Sequence, residues 1–482
     1  MMRTAPKTFS RKFTTTGYRR LASAVNSSGI SAAWTKTPNE FTVTSQTGFL
    51  PRHDPLPVLP SYFEKLEEIL HEMPINKGDG TYGLLHSGRF GERIEHELPM
   101  YDVDFIFDSR ILSALYRDYT FLASAYLLEP CDIQYRLARN YGLARRVLPA
   151  NIAVPLKTIA GRINAKPFLE HSMSYTFYNY RRIDSAGELS VDNIEPIRRF
   201  SGCDTEKSYI VGHVAAAQQT GSMVEASLEI LRSAQQNDRS AFNDALKQYT
   251  GAMAKVNGIL SKTLKNTSEY ASFRTFLSGC KDQPMFSNGV FYEGSTGTST
   301  GERFLGVAQS SNPIASLSTH LFQLSQLSPR GTLPCANGVD SLRPENYRAF
   351  LSHIDAASKM TNVQAYALHN SESSVEYMAA LDQVLAYRYR QWANLRDSIP
   401  VQTASNKPAF REYFDVQTRH IRDVAELVQR TRANIDAELL VPADRVRAES
   451  IVHRAEMIRR SLNRILADSA ETSPLPISMI AY

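Results

Sequence analysis

His213 lies in the run Tyr209-Ile-Val-Gly-His-Val-Ala-Ala-Ala, where one titratable ring is surrounded by small and apolar residues. An imidazole in such a setting is either a hydrogen-bonded core residue or part of a ligand cavity, where it accepts, donates or moves a proton. Arg274, in Phe273-Arg-Thr-Phe-Leu-Ser-Gly, is a cation on a mostly apolar helix end. It answers an anion there, either a ligand carboxylate or a structural one. Gln391 falls at helical steps from Leu381, Val384, Arg388 and Leu395, so its amide is expected to point inward. The stretch from Gly294 to Gly301 is glycine-rich but lacks the Gly-Lys-Ser/Thr ending of a phosphate loop, and reads as a flexible lid. The histidines form neither an H-x-x-x-H nor an H-E-x-x-H pair, and there is no G-x-S-x-G elbow. Zinc-protease and serine-hydrolase chemistries lose ground accordingly. Cys131, Cys203, Cys280 and Cys335 are scattered, without a C-x-x-C pair, as in a protein of a reducing compartment.

These side chains need helices to hold them. Phe242, Leu246, Tyr249, Met253, Val256 and Leu260 recur at alternating steps of four and three, which places one apolar stripe on a long helix. Ser373 and Glu376 form an S-x-x-E capping box that predicts a helix start at Ser373, with the stop at Pro400. Ile421, Val424, Val428 and Ile435 before Pro442, and Ile451, Ala455, Ile458, Leu462 and Ile465 after it, predict a helical hairpin over 410–468. Its arginines fall mainly between the apolar positions and read as a solvated face. Period-two alternation is rare, so the class is mainly α. Pro51, Pro55, Pro57 and Pro60 keep the stretch 41–60 extended. The irregular stretch 181–198 marks a boundary between a smaller, mostly helical N-terminal domain, 41–198, and a large all-α domain, 199–482.

Composition adds exclusions. The 482 residues carry a formal net charge of +5. No acid precedes Glu40, while Arg3, Lys7, Arg11, Lys12, Arg19, Arg20 and Lys36 do, so the body beyond them is slightly negative. Such a body has no global footprint for nucleic acid. No run approaches the roughly 18 to 20 apolar residues of a membrane span. Residues 1–40 read as a basic disordered tail of a cytoplasmic protein, with a mitochondrial presequence as the alternative because the segment is Arg-rich and acid-free, with Phe9 and Phe13 one turn apart.

Gly48-Phe-Leu-Pro, Arg146-Val-Leu-Pro-Ala-Asn-Ile-Ala-Val-Pro, Phe276-Leu-Ser-Gly, Tyr292-Glu-Gly and Ala308-Gln-Ser-Ser occur in this order between about Phe41 and Ile399. Together they resemble the indoleamine 2,3-dioxygenase family. The resemblance implies a small N-terminal domain over a large helical bundle that holds haem b. It also implies an enzyme that opens the indole ring of tryptophan with dioxygen to N-formylkynurenine. It places Tyr209 and His213 over the substrate, Arg274 on the substrate carboxylate, Tyr270 against the indole, and His171 or Ser172 on the pocket wall. The loop containing Gly306, Val307, Ala308, Ser310 and Ser311 is similar to the segment that passes the haem edge.

Two departures accompany the resemblance. The run Tyr387-Arg-Tyr-Arg-Gln-Trp392 puts Gln391 where the family has its histidine iron ligand, and a carboxamide is a poor ligand for haem iron. Tyr387 or Tyr389 would be the phenolate substitutes, with adjacent arginines favouring ionisation. Ala404-Ser-Asn-Lys-Pro-Ala-Phe-Arg-Glu-Tyr413 stands where the family has a G-T-G-G loop. The expectation is a haem-dependent dioxygenase of tryptophan or a related indole. The alternatives are a divergent enzyme with altered or absent haem ligation acting on an aromatic amine or amino acid, and a noncatalytic binding protein that uses the hairpin for a protein partner.

Overall fold

The computed structural model describes residues 39–263, 267–281, 283–294, 301–304, 306–307, 312–327, 343–397 and 408–467. The basic tail before Asn39, most of the glycine-rich loop, Ala308, Ser310, Ser311 and the segment 398–407 lie outside the described residues.

The fold is mainly α, as expected. Short helices α1 (Glu64–Glu72), α2 (Leu84–Ser87) and α3 (Phe90–Glu97) lead to the 30-residue helix α4 (Ser109–Ala138). Asp108 caps α4, its carboxylate accepting from Arg110 N at 2.7 Å and Ile111 N at 3.3 Å. From Leu112 to Glu129 every residue of α4 is buried, as suits a helix enclosed on all sides. Helix α5 (Ala150–Arg162) packs against it.

Two of the stretches that carry the resemblance meet here. Strand β1 (Val147–Leu148) pairs in parallel with β4 (Phe291–Tyr292), and Glu293 Oε2 accepts from Ala150 N at 3.0 Å at the start of α5. The stretch read as an irregular boundary instead holds an antiparallel pair, β2 (Tyr180–Arg182) with β3 (Ile194–Pro196). It is anchored by contacts that local sequence does not announce. Asp54 Oδ2 accepts from Arg182 Nε at 2.7 Å, and Asp118 on α4 accepts from both Arg198 and Arg117 inside the core.

Helices α6 (Asp204–Ala217), α7 (Thr220–Gln236), α8 (Arg239–Thr263) and α9 (Thr267–Arg274) follow. Gly48, at φ +59°, passes so close to the start of α7 that a Cβ would overlap Thr220, and Phe49 N donates to Thr220 Oγ1 at 3.0 Å. The predicted stripe on α8 is buried at all six positions. Beyond it lie α10 (Pro313–Leu321), α11 (Glu345–Thr361), α12 (Val363–Leu368), α13 (Ser371–Asp397), α14 (Pro408–Ala433) and α15 (Pro442–Ala467).

Helix α13 departs from expectation at its start. It begins at Ser371, and Asn370 Oδ1 accepts from Ser373 N at 2.9 Å, so Asn370 is the cap. The Ser373 hydroxyl donates instead to Asn243 Oδ1 on α8 at 2.6 Å. Helix α13 packs on α8, α14 and α15, and polar pairs fix its register on each side. Asn257 Nδ2 donates to the Gln383 carbonyl at 2.9 Å, Arg388 donates to Ala315 O at 3.2 Å and to the Thr319 hydroxyl, and Trp392 Nε1 donates to Thr418 Oγ1 at 2.9 Å.

The predicted helical hairpin is α14 and α15. Its arginines do more than face solvent: Arg447 reaches Glu376 at 2.8 Å and Arg454 reaches Asp382 at 2.6 Å, both carboxylates buried on α13. Removing a cation from a buried carboxylate leaves an uncompensated charge, which costs about 3 kcal/mol or more, whereas exposed pairs contribute less than about 1 kcal/mol. Arg454→Ala is therefore expected to lower the unfolding free energy in urea by about 3 kcal/mol. The same change at Arg232, whose pair with Glu229 is largely exposed, is expected to lower it by less than about 1 kcal/mol.

Candidate active site

The two polar groups singled out by sequence stand on elements tied together by one buried carboxylate. Glu206, in the first turn of α6, accepts from Phe200 N at 2.8 Å, Ser201 N at 2.8 Å, Gly202 N at 3.0 Å and the Ser201 hydroxyl at 2.8 Å. The Tyr175 hydroxyl donates to it as well, at 3.3 Å. Burial raises the Glu206 carboxyl above its usual range, against the pull of these donors. Cys203 at the cap position accepts from Glu206 N through its sulfur at 3.4 Å. This assembly sets how the chain enters α6, and so where Tyr209 and His213 point.

Tyr175 ends a single π-helical turn, His171–Tyr175, an arrangement that recurs at functional sites. Glu170 caps it, one oxygen accepting from Ser172 N at 2.7 Å and Met173 N at 2.8 Å. Burial pushes the Glu170 carboxyl up to about 7. The His171 carbonyl accepts from Thr176 N at 2.8 Å and from the Thr176 hydroxyl at 2.7 Å.

The turn, α6 and α9 bring the predicted residues into one row of rings. His171 lies edge-on to His213 with centroids 5.4 Å apart, His213 lies 4.2 Å from Tyr209, and Tyr209 lies 6.0 Å from Tyr270. Phe273 closes that end, 4.9 Å from Tyr270 and 6.1 Å from Tyr209. Arg274 follows at the end of α9, close enough to Tyr270 for its charge to act on that phenol. Val307 N donates to Leu277 O at 2.9 Å, and a Cβ on Gly306 would overlap Leu277 and Gly279. The described part of the predicted loop thus runs directly beside the chain that leaves Arg274.

His213 is buried, and its Nδ1 lies 2.7 Å from the Tyr209 carbonyl. A carbonyl only accepts, so the proton is on Nδ1 and Nε2 keeps its lone pair. Burial lowers His213 to about 4, and the Tyr209 carbonyl only partly opposes this. Gly212 makes room for α6 to approach α8, since a Cβ there would lie 2.5 Å from Thr263 Oγ1. His171 is held neutral as well, by burial and by the proximity of His213 and Arg343.

Helix α13 borders the row from another side. Tyr387 lies near enough to Tyr209 to act on its phenol electrostatically. Gln391, one turn further along, has its Nε2 enclosed and lies close enough to Tyr387 to act on that hydroxyl, which agrees with the expected inward amide. The expectation that arginines would favour a phenolate is corrected. Burial raises Tyr387 well above its ordinary value despite Arg388 and Arg390, and Tyr389 faces away, 5.4 Å from Trp392. Sequence reasoning did not find Glu206, Glu170, Tyr175 or Phe273. Cysteine is not a usual helix cap, so the Cys203-x-x-Glu206 spacing, the one local signal for Glu206, is easily passed over.

The depressed His213 has a measurable consequence. Between pH 6.5 and about 4 the unfolded chain takes up a proton that the folded chain refuses, so stability falls as pH falls through this window. For His213→Leu, the stability difference between about pH 7.5 and about pH 5 is expected to shrink by about 2 kcal/mol relative to the unsubstituted chain. Equal losses in urea titrations of the two proteins at both pH values would contradict a buried neutral imidazole.

Among the described residues no helix is long and apolar enough to cross a membrane, and no group of three or more His, Cys, Asp or Glu is placed to hold a metal ion. The sequence profile of the indoleamine 2,3-dioxygenase family matches residues 37–398. Indoleamine 2,3-dioxygenase 2 of Homo sapiens is 25% identical over 263 residues, covering 52% of this chain and 58% of the relative. The Mus musculus protein of the same name is 23% identical with the same coverage. Indoleamine 2,3-dioxygenase 1 of Rattus norvegicus is 22% identical over 323 residues, covering 66% of this chain and 74% of the relative. The chain thus spans somewhat over half the length of the first two relatives. With three quarters of its length inside the family profile, the chain belongs to the indoleamine 2,3-dioxygenase family.

Proposed function

We propose that this protein is an oxidoreductase of the indoleamine 2,3-dioxygenase type that takes tryptophan or a related indole and opens its ring with dioxygen to an N-formylkynurenine-type product. The observation that carries the reading is the row His171, His213, Tyr209 and Tyr270, which ends at Arg274. A ligand with a flat aromatic ring and a carboxylate matches it. Tyr209, Tyr270 and Phe273 would bury the ring, and aromatic contacts of this kind contribute about 0.5–1.5 kcal/mol each beyond area burial. Arg274 would hold the carboxylate by a charge-assisted hydrogen bond. His213 Nε2, left as an acceptor by the Nδ1 bond, would receive the indole N–H and is neutral at physiological pH.

Haem b is the family's cofactor, and the residues of this chain do not fit a histidine-ligated haem at the position the resemblance assigns. Gln391 presents a neutral carboxamide, and Tyr387 beside it is kept protonated by burial. Of the imidazoles nearest in sequence, His369 is exposed beyond the end of α12, and His420 is buried on α14 near Arg388, on a different helix from the position the resemblance assigns. No step is therefore assigned through haem. This observation favours a second reading, in which the same aromatic ligand is bound and a different reaction is catalysed.

The test is the reaction itself. On the first reading, full-length protein produced with a haem supply shows a Soret band and yields N-formylkynurenine from tryptophan under reducing, aerobic conditions. Arg274→Ala should raise KM by about tenfold or more, the loss of one charge-assisted hydrogen bond. An inactive natural protein that gains the product on Gln391→His supports the second reading. A protein with no Soret band before or after that change contradicts the first.

A further inference from the structure

We propose that the exposed aromatic and acidic face ahead of α4 is a docking surface, and that its occupant is the segment 1–38 of this same chain. The inference uses none of the residues of the row and does not rest on the ligand read there.

Two stretches build the face. In 100–108, where the chain runs up to α4, Tyr101, Val103 and Ile106 are buried, while Met100, Phe105 and Phe107 are exposed, Phe107 at 81%. In 56–62, Val58 and Tyr62 are exposed as well. Tyr62 packs edge-on against Tyr101 with centroids 5.3 Å apart and against Phe105 at 5.4 Å, so the exposed rings form one cluster. Between the same two stretches runs a groove of about 310 Å³, with Leu56, Val58 and Pro60 on one side and Asp108, Arg110 and Ile111 on the other. Single exposed apolar side chains are ordinary on a protein surface, whereas a contiguous group of them marks an interaction site.

Charge decides what the face accepts. Glu64, Asp102 and Asp104 are exposed, and none of them is in an ion pair with a described residue. The neighbouring cations are committed elsewhere. Lys65 pairs with Glu68 and Glu97, Arg110 donates to Asp54 O at 3.2 Å, and Arg162 donates to Val103 O at 2.9 Å and to Asp104 O at 3.1 Å. The Arg162 guanidinium also lies 5.0 Å from the Phe107 ring centroid, the kind of contact the other rings of the face can make with an incoming cation. The complement is a basic segment that carries aromatic side chains. Nucleic acid and an anionic lipid surface are repelled, and a second copy docked by the same face about a twofold axis would set Asp102 and Asp104 against their own equivalents.

Residues 1–38 have that composition. They hold Arg3, Lys7, Arg11, Lys12, Arg19, Arg20 and Lys36, no acid, and rings at Phe9, Phe13, Tyr18 and Trp34. The point of attachment lies beside the face. Glu40 Oε1 accepts from Ser109 Oγ at 2.9 Å, so the described chain begins, at Asn39, next to the first residue of α4, directly after the exposed stretch. At roughly 3.3 Å per extended residue, about ten residues reach about 30 Å, and the stretch from Lys7 to Arg20 has chain to spare. Attachment holds the segment at an effective concentration on the order of mM, so contacts too weak to retain a free peptide suffice.

The test is zero-length carbodiimide cross-linking of the full-length protein, which joins a lysine amine to a carboxylate, on an equal mixture of unlabelled and nitrogen-15-labelled chains, followed by mass-spectrometric mapping. Lys7 and Lys12, far along the chain from Asn39, are expected to cross-link to Glu64, Asp102 or Asp104 within single molecules. The double substitution Phe105→Ser with Phe107→Ser keeps every carboxylate and is expected to lower that yield about fivefold or more. Hydrogen exchange supplies a second measurement that leaves the face itself intact. With Arg11→Gln, Lys12→Gln, Arg19→Gln and Arg20→Gln in the full-length chain, the amides of 100–108 are expected to exchange faster than in the unsubstituted protein. Cross-links that join labelled to unlabelled chains overturn the inference in favour of a second copy. Lys7 and Lys12 cross-linked only to carboxylates elsewhere or not at all, a yield undiminished by the double substitution, or exchange unchanged by the glutamines overturns it outright.

Discussion

The buried carboxylate of Glu206 is the interaction on which the site depends. It gathers three consecutive backbone N–H groups, the Ser201 hydroxyl and the Tyr175 hydroxyl. Those groups belong to the chain that enters α6 and to the π-helical turn, so one side chain sets the relative position of His213 and His171. Hydrogen bonds to a carboxylate are stronger than neutral ones, and each donor here lies out of reach of bulk water. The 5.4 Å spacing of the two imidazoles follows from that junction rather than from a direct bond between them.

Helix α13 supplies the second constraint. Its pairs with Asn243 and Asn257 on α8, with Thr319 on α10, with Thr418 on α14, and with Arg447 and Arg454 on α15 hold its rotation and its register. With both held, Gln391 has little freedom to swing aside and let another residue take its place. Tyr389 is a large part of a turn away around the helix and packs on Trp392. Position 391 is thus held in place by its own helix and carries a carboxamide. An imidazole donates a nitrogen lone pair to a metal, whereas a carboxamide does so poorly and presents an N–H donor as well.

Much of this was legible in the sequence wherever one element could declare itself. The stripe from Phe242 to Leu260 and the hairpin about Pro442 are periodic, and periodicity survives without knowledge of the partner. His213 and Arg274 stood out because polar groups in apolar runs are expensive to bury without purpose. The failures share a cause. Ser373 looked like a cap by spacing, but Asn370 competed for that position and Asn243, far away in sequence, took the hydroxyl. Arg447 and Arg454 looked like a solvated face because their carboxylates lie on another helix. The arginines beside Tyr387 suggested a phenolate, but burial outweighs them, and the extent of burial is a property of the folded chain alone. Glu206 and Glu170 went unnoticed for the same reason, since their partners become neighbours only in the π-helical turn and at the start of α6.

The central claim is that the row from His171 to Arg274 is the surface that receives the aromatic ligand. Photolabelling the full-length protein with an azido-substituted indole amino acid, followed by mass-spectrometric mapping of the adducts, tests it most directly. The account predicts adducts within 171–175, 209–213 or 270–274, suppressed by excess tryptophan. Labelling confined to other segments, or unaffected by that competitor, would contradict it.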